Sequence, residues 1–176
     1  MASETDEPRD VTGQWEGYYT QGNTQRLIRA ELAQEGKRLS GTMTDVVTES
    51  ECSLFDAAAS AGLPPGADEK IDEQIRKLVP EAGDQPIRAK HVLPEQSRLE
   101  GTVDGPFVRF TKTYQGQHFV GYQVGEKTVG QIIEQHSVQY SGRLSNDGQT
   151  IEGRWTIPSP DAPRGQLDGA FVLRRA

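Results

Sequence analysis

Eight segments of this chain alternate apolar and polar residues with a period of two, and every second link between them is a tight turn. The segments are 14–20, 25–34, 38–46, 98–103, 107–114, 136–144, 149–157 and 168–175. One face of the first carries Trp15, Gly17 and Tyr19; one face of the third carries Leu39, Gly41, Met43 and Asp45; one face of the fifth carries Val108, Phe110, Lys112 and Tyr114. Glu35-Gly36-Lys37, Asp104-Gly105-Pro106 and Asn146-Asp147-Gly148 are hairpin chemistry, with Gly supplying a positive φ. The other links are longer: 21–24, 47–97, 115–135 and 158–167. In a meander, alternate links lie at the same end. One end is then closed by tight turns, and the other bears every long loop. The fold class predicted is all-β, an eight-stranded antiparallel up-and-down barrel with a plain floor and a decorated mouth. A further segment, 118–124, fits a strand less well.

Residues 47–96 read as a helical insertion between the third and fourth strands. Within it, 68–79 (DEKIDEQIRKLV) puts Ile71, Ile75, Leu78 and Val79 on one helical face. Acidic residues open this helix, basic ones close it, and Pro80 stops it. A shorter helix is expected over 53–61, with Leu54 and Phe55 packed inward. The insertion covers either the barrel mouth, as a lid, or the barrel side. Residues 1–12 read as a flexible tail and 13–176 as a single barrel domain.

Leu39-Ser40-Gly41-Thr42, Leu99-Glu100-Gly101-Thr102 and Ile151-Glu152-Gly153-Arg154 share an apolar residue, a spacer and a Gly, with Tyr140-Ser141-Gly142-Arg143 a looser copy. Glycine on the inner face either lets the sheet bend sharply or leaves interior space.

Composition excludes several function classes. With 19 basic and 26 acidic side chains the net charge is −7, which argues against binding a nucleic-acid backbone. One Cys rules out an internal disulfide framework and a thiolate zinc site. No apolar run approaches the roughly 18 residues of a membrane span. The opening MASETDEPRD lacks the basic start and apolar stretch of a secretory signal, so a cytoplasmic location is expected.

The meander also selects the inward residues nearest the mouth: Tyr19, Asp45, Lys112, Tyr114, His136 and Trp155. A carboxylate, an ammonium, an imidazole and three aromatics suit a ligand site, because aromatics supply contact area and a few polar groups fix orientation. Lys112 stands in phase with Phe110 and Tyr114. If buried it needs a partner, and Asp45 is the candidate. The alternatives are that Lys112 snorkels to water at the rim, or that a bulge turns it outward. His91, His118 and His136 show no metal-ligand spacing, so neither a metal nor a cofactor is expected. His118 reads as a solvated hairpin residue. There is no nucleophile elbow, phosphate loop or dinucleotide fingerprint. Cys52 reads as a small packing residue, and Glu100 and Glu152 fall on the outward face.

Gly13-Gln14-Trp15 has the Gly-x-Trp pattern that opens the first strand of lipocalins and avidins, and Arg174 and Arg175 end the last strand. Over 13–46 and 97–175 the chain therefore resembles the calycin superfamily. In that family the Trp packs across the closed floor against a basic side chain near the end of the last strand. The resemblance implies that role for Gly13, Trp15, Arg174 and Arg175, and it implies binding of a small molecule at the mouth. Lipocalin motifs beyond the first are not visible, and no set of biotin-contacting residues maps onto the chain. GQWEGYYTQG and RFTKTYQGQH also resemble segments of small, uncharacterised bacterial barrel proteins.

Three functions are open at this stage. The first is non-enzymatic binding of a small, partly apolar ligand at the mouth. The second is a filled barrel that serves as a protein-interaction scaffold through its acidic insertion. The third is an isomerase or hydrolase with His136 or Lys112 as base. Interior glycines favour space, whereas Trp15, Phe110, Tyr140, Trp155 and Phe171 favour filling. The oligomeric state is open as well.

Overall fold

The computed structural model describes residues 9–21, 24–60, 62–134, 137–157 and 167–176. In chain order the elements are β1 (Gly13–Gln21), β2 (Thr24–Glu35), β3 (Arg38–Asp45), β4 (Glu49–Ser53), α1 (Leu54–Ser60) and α2 (Ala67–Leu78). A short 3-10 turn, Pro80–Ala82, follows. Then come β5 (Ile87–Val92), β6 (Gln96–Asp104), β7 (Phe107–Tyr114), β8 (Gln117–Val124), β9 (Lys127–Glu134), β10 (Ser137–Leu144), β11 (Thr150–Ile157) and β12 (Leu167–Arg175). No described helix is long and apolar enough to cross a membrane.

Eight strands close a barrel in the order β1-β2-β3-β6-β7-β10-β11-β12, and β12 pairs back onto β1 with Trp15 opposite Arg175 and Tyr19 opposite Phe171. Each strand of this barrel lies beside its predecessor in the chain, antiparallel, so the barrel is the up-and-down meander read from the sequence. Period two sends alternate side chains inward. Phe110 and Tyr140 stack with ring centroids 4.9 Å apart and planes at 10°, and Phe171 meets both edge-on at 6.3 and 4.9 Å. Offset stacking and edge contacts are the favoured aromatic geometries, and this trio fills the middle of the barrel.

The inner glycines serve curvature. A Cβ at Gly17 would lie 1.8 Å from the Val172 carbonyl oxygen, at Gly41 2.1 Å from that of Glu31, at Gly101 1.9 Å from that of Arg109, and at Gly153 1.9 Å from that of Ser141. The space a side chain would need is occupied by the neighbouring strand, so of the two expectations for these positions, sharp bending is the one realised.

The floor is tied by Arg175. Its guanidinium lies 4.6 Å from the Trp15 ring centroid and donates to the carbonyls of Gly148 (2.8 Å), Thr12 (3.0 Å) and Asp10 (2.6 Å). Trp15 is fully buried and its Nε1 donates to the Val11 carbonyl at 2.8 Å. Val11 is itself fully buried, and its amide donates to Gln34 Oε1 at 2.9 Å. Residues 9–12 therefore differ from the flexible tail expected over 1–12; they are the underside of the floor. Residues 1–8 lie outside the described residues. Gly13, at φ +136, leaves room for Arg175, whose Nη1 would stand 3.3 Å from an added Cβ. Arg174 is exposed, so only one of the two terminal arginines packs on the floor.

The described residues fall into two compact units: the barrel, from 9–21, 24–46, 95–115, 137–157 and 167–176, and a second unit from 47–60, 62–94 and 116–134. The second unit has its own antiparallel sheet, β4-β5-β8-β9, and its own core of Leu54, Ile75, Ile87 and Val124, flanked by Ile71, Ala82 and Tyr122. The sequence predicts helices alone for the 47–96 insertion and a long link with one weak strand over 115–135; the structure adds β4 and β5 to the insertion, and 117–134 is the β8–β9 hairpin. The alternation there is broken because Gly121 and Gly130 face each other, with the Phe119 Cζ 2.9 and 3.0 Å from where their Cβ atoms would be.

Two inward assignments are also corrected. Phe55 is 68% exposed, because α1 turns the face of Leu54 and Ala58, four residues apart, inward, and Phe55 lies off that face. Leu78 is 70% exposed: α2 ends there, and the chain turns at Val79 (φ −130), which takes the buried place instead.

Candidate functional site

The loop-bearing end of the barrel holds the polar part of its interior. Asp45 ends β3, Lys112 and Tyr114 end β7, Tyr19 lies near the end of β1 and Trp155 near the end of β11. All five are buried, and Lys112 is completely so. Lys112 therefore points inward; it neither snorkels to the rim nor turns out on a bulge. Its ammonium donates to Asp45 Oδ2 at 2.8 Å.

The register explains how these two residues meet. β6 lies between their strands, with Leu99 opposite Lys112 and Ser97 opposite both Met43 and Tyr114. Ser97 is the inward residue of β6 nearest this end, and its small side chain leaves room above Leu99 for the lysine to cross. The Ser97 hydroxyl is buried and has no hydrogen-bond partner among the described residues. Sequence reading missed Ser97, which is in phase with Leu99 but precedes the segment read as strand.

Aromatic rings wall the pair. The Lys112 ammonium lies 4.5 Å from the Tyr114 ring centroid and 5.4 Å from that of Tyr19. Tyr19 meets Trp155 edge-on at 6.0 Å, and Trp155 Nε1 donates to the Thr20 carbonyl at 3.0 Å. The indole lies over Gly169, where a Cβ would be 2.5 Å from Nε1. The structure thus brings together five of the six residues read as the mouth set; His136 lies outside the described residues.

Burial dominates the electrostatics. It pushes the Asp45 carboxyl above the ordinary carboxylate range, with Lys112 opposing, and it pushes Lys112 below the ordinary lysine range, with Asp45 opposing. Burial also raises the phenols of Tyr19, Tyr114 and Tyr140, and the Asp45 charge adds to each shift. The site therefore offers protonated phenols, a serine hydroxyl and a buried ammonium–carboxylate pair.

Glu100 and Glu152 are exposed and form no acid/base pair with each other. Cys52 is a half-buried free thiol on β4. His118, expected in solvent, is buried and meets His91, because β8 pairs with β5 in the second sheet. Comparison with protein-family models, with curated proteins and with solved structures returned no match.

Proposed function

We propose that the barrel binds a small, partly apolar molecule at its loop-bearing end, as calycins do. The observation that carries this reading is the buried Asp45–Lys112 pair, walled by Tyr19, Tyr114 and Trp155, with the Ser97 hydroxyl left over beside Tyr114. A barrel core gains little from an ion pair that apolar side chains of the same volume would not supply. Phe110, Tyr140 and Phe171 fill the middle of this barrel without one. A few oriented polar groups set in aromatic walls are the composition of a ligand site, and a buried hydroxyl without a partner is a place for a ligand's polar atom. The calycin reading is supported by the eight-stranded meander and by Arg175 packed over Trp15 behind Gly13.

Native mass spectrometry of the purified chain tests this. The expected result is an excess mass that disappears on denaturation and identifies the ligand. The double variant Asp45→Leu/Lys112→Met removes the pair without leaving a lone buried charge. It should keep the fold and lose affinity for that ligand; unchanged affinity sinks the reading.

A second reading has its own support. The aromatic trio fills the barrel centre, as a scaffold acting through the 47–96 segment would allow. A chain that carries no ligand mass, and whose partner binding vanishes when the second unit is excised while the barrel stays folded, would favour it.

A further inference from the structure

The barrel mouth carries a charge that the Asp45–Lys112 pair does not account for. In β2 the side chains of Ile28, Ala30 and Leu32 are buried and those of Leu27, Arg29 and Glu31 are exposed, so Arg26 stands on the inward face. It is half-buried there. The register puts Arg26 opposite Tyr19, and Ile28, next on the same face, opposite Asp45. Arg26 is thus a direct cross-strand neighbour of one phenol of the site and a diagonal neighbour of its carboxylate, within reach of a long side chain. Its charge reaches the phenol: burial and the Asp45 carboxylate raise Tyr19, and Arg26 opposes them.

The charges at this end do not cancel. Lys112 and Asp45 balance each other at 2.8 Å. Arg29, on the outward face of the same strand, has Glu16 at 3.8 Å. No described carboxylate forms an ion pair with Arg26. A guanidinium presents a planar fork of donors that matches the two oxygens of a carboxylate. Building on the mouth as a binding site, we propose that its ligand is a monoanionic carboxylate with an apolar body, the carboxylate held by Arg26 and the body set against the rings of Tyr19 and Trp155. One positive charge is left to neutralise. A phosphate brings nearly two negative charges, and the second would be set against Asp45. The net charge of −7 gives the chain no general attraction for anions, so selection falls to the short-range fork.

Naphthoate and its uncharged amide, naphthamide, share one shape and differ in charge. Titrated into the full chain near neutral pH, naphthoate should shift the indole N–H signal of Trp155 and leave that of Trp15, buried at the floor, in place. It should bind at least about tenfold more tightly than naphthamide, the difference expected of a hydrogen bond to a charged group. Arg26→Gln should bring naphthoate down to the naphthamide level. Arg26→Lys, which keeps the charge without the fork, should recover part of the difference. Equal affinity of the two compounds, or naphthoate held as tightly by Arg26→Gln as by the unaltered chain, overturns the role of Arg26, while a shifted Trp155 signal keeps the mouth as a binding site. A Trp155 signal that neither compound moves overturns both.

Discussion

Lys112 and Asp45 stand 67 residues apart in the chain, and inside the barrel the ammonium of one donates to the carboxylate of the other at 2.8 Å. The contact spans β6 and depends on the small Ser97 at the crossing. Its energetic meaning is asymmetric. Removing one partner leaves a buried charge with nothing to balance it, at a cost of about 3–5 kcal/mol, whereas replacing both with apolar side chains is neutral or stabilising. Lys112→Met alone should therefore lose about that much in urea unfolding, and Asp45→Leu/Lys112→Met should recover it. A single variant as stable as the unaltered chain would mean that Asp45 is already neutral there.

The same pair predicts the sign of a pH effect. Burial raises Asp45 above its ordinary 3.8 and lowers Lys112 below its ordinary 10.5. The carboxyl contributes stability that is fully present below 3.8 and is gone once pH has risen through its folded value. The ammonium contributes stability present above 10.5 that is gone once pH has fallen through its folded value. The stability of the unaltered chain minus that of the double variant should trace a trough at intermediate pH. A maximum there would show that attraction outweighs burial.

The barrel and its mouth were legible in the sequence because both follow from local rules. Period two decides which side chains face inward, and a meander decides which end they occupy, so Tyr19, Asp45, Lys112, Tyr114 and Trp155 were assembled without any pairing information. The second sheet was not legible. β4 (ESECS) carries no large apolar residue, and β8–β9 hides its pattern behind Gly121, Gly130 and the ring of Phe119. The contact between His91 and His118 depends on the register of β5 with β8, which no local pattern sets. Ser97 escaped because a small polar residue gives no sign of being core.

Inner and turn glycines should respond differently to alanine. Gly101→Ala drives a methyl group to within 1.9 Å of the Arg109 carbonyl oxygen, and only a shift of the β6–β7 pairing relieves it. The expected loss is about 3 kcal/mol, at the upper end for overpacking. Gly36→Ala meets open space and costs only the left-handed backbone at φ +61, about 1 kcal/mol. Equal midpoints for the two variants in urea would contradict the close approach of the strands.

The two units should also separate in their unfolding. Ile75 is buried among Leu54, Ile87 and Val124, all in the second unit, and Ile75→Ala should cost that core about 2–5 kcal/mol. Both tryptophans, Trp15 and Trp155, belong to the barrel, so their fluorescence reports the barrel alone. Hydrogen exchange read by mass spectrometry should then speed up in β5 and β8 of Ile75→Ala, with β10 and β11 protected as before and the tryptophan transition unmoved. The reason is that each unit has its own sheet and its own buried cluster, so loss of one core leaves the other's hydrogen bonds in place. An equal shift of the tryptophan transition would show instead that the 47–94 and 116–134 segments unfold only together with the barrel.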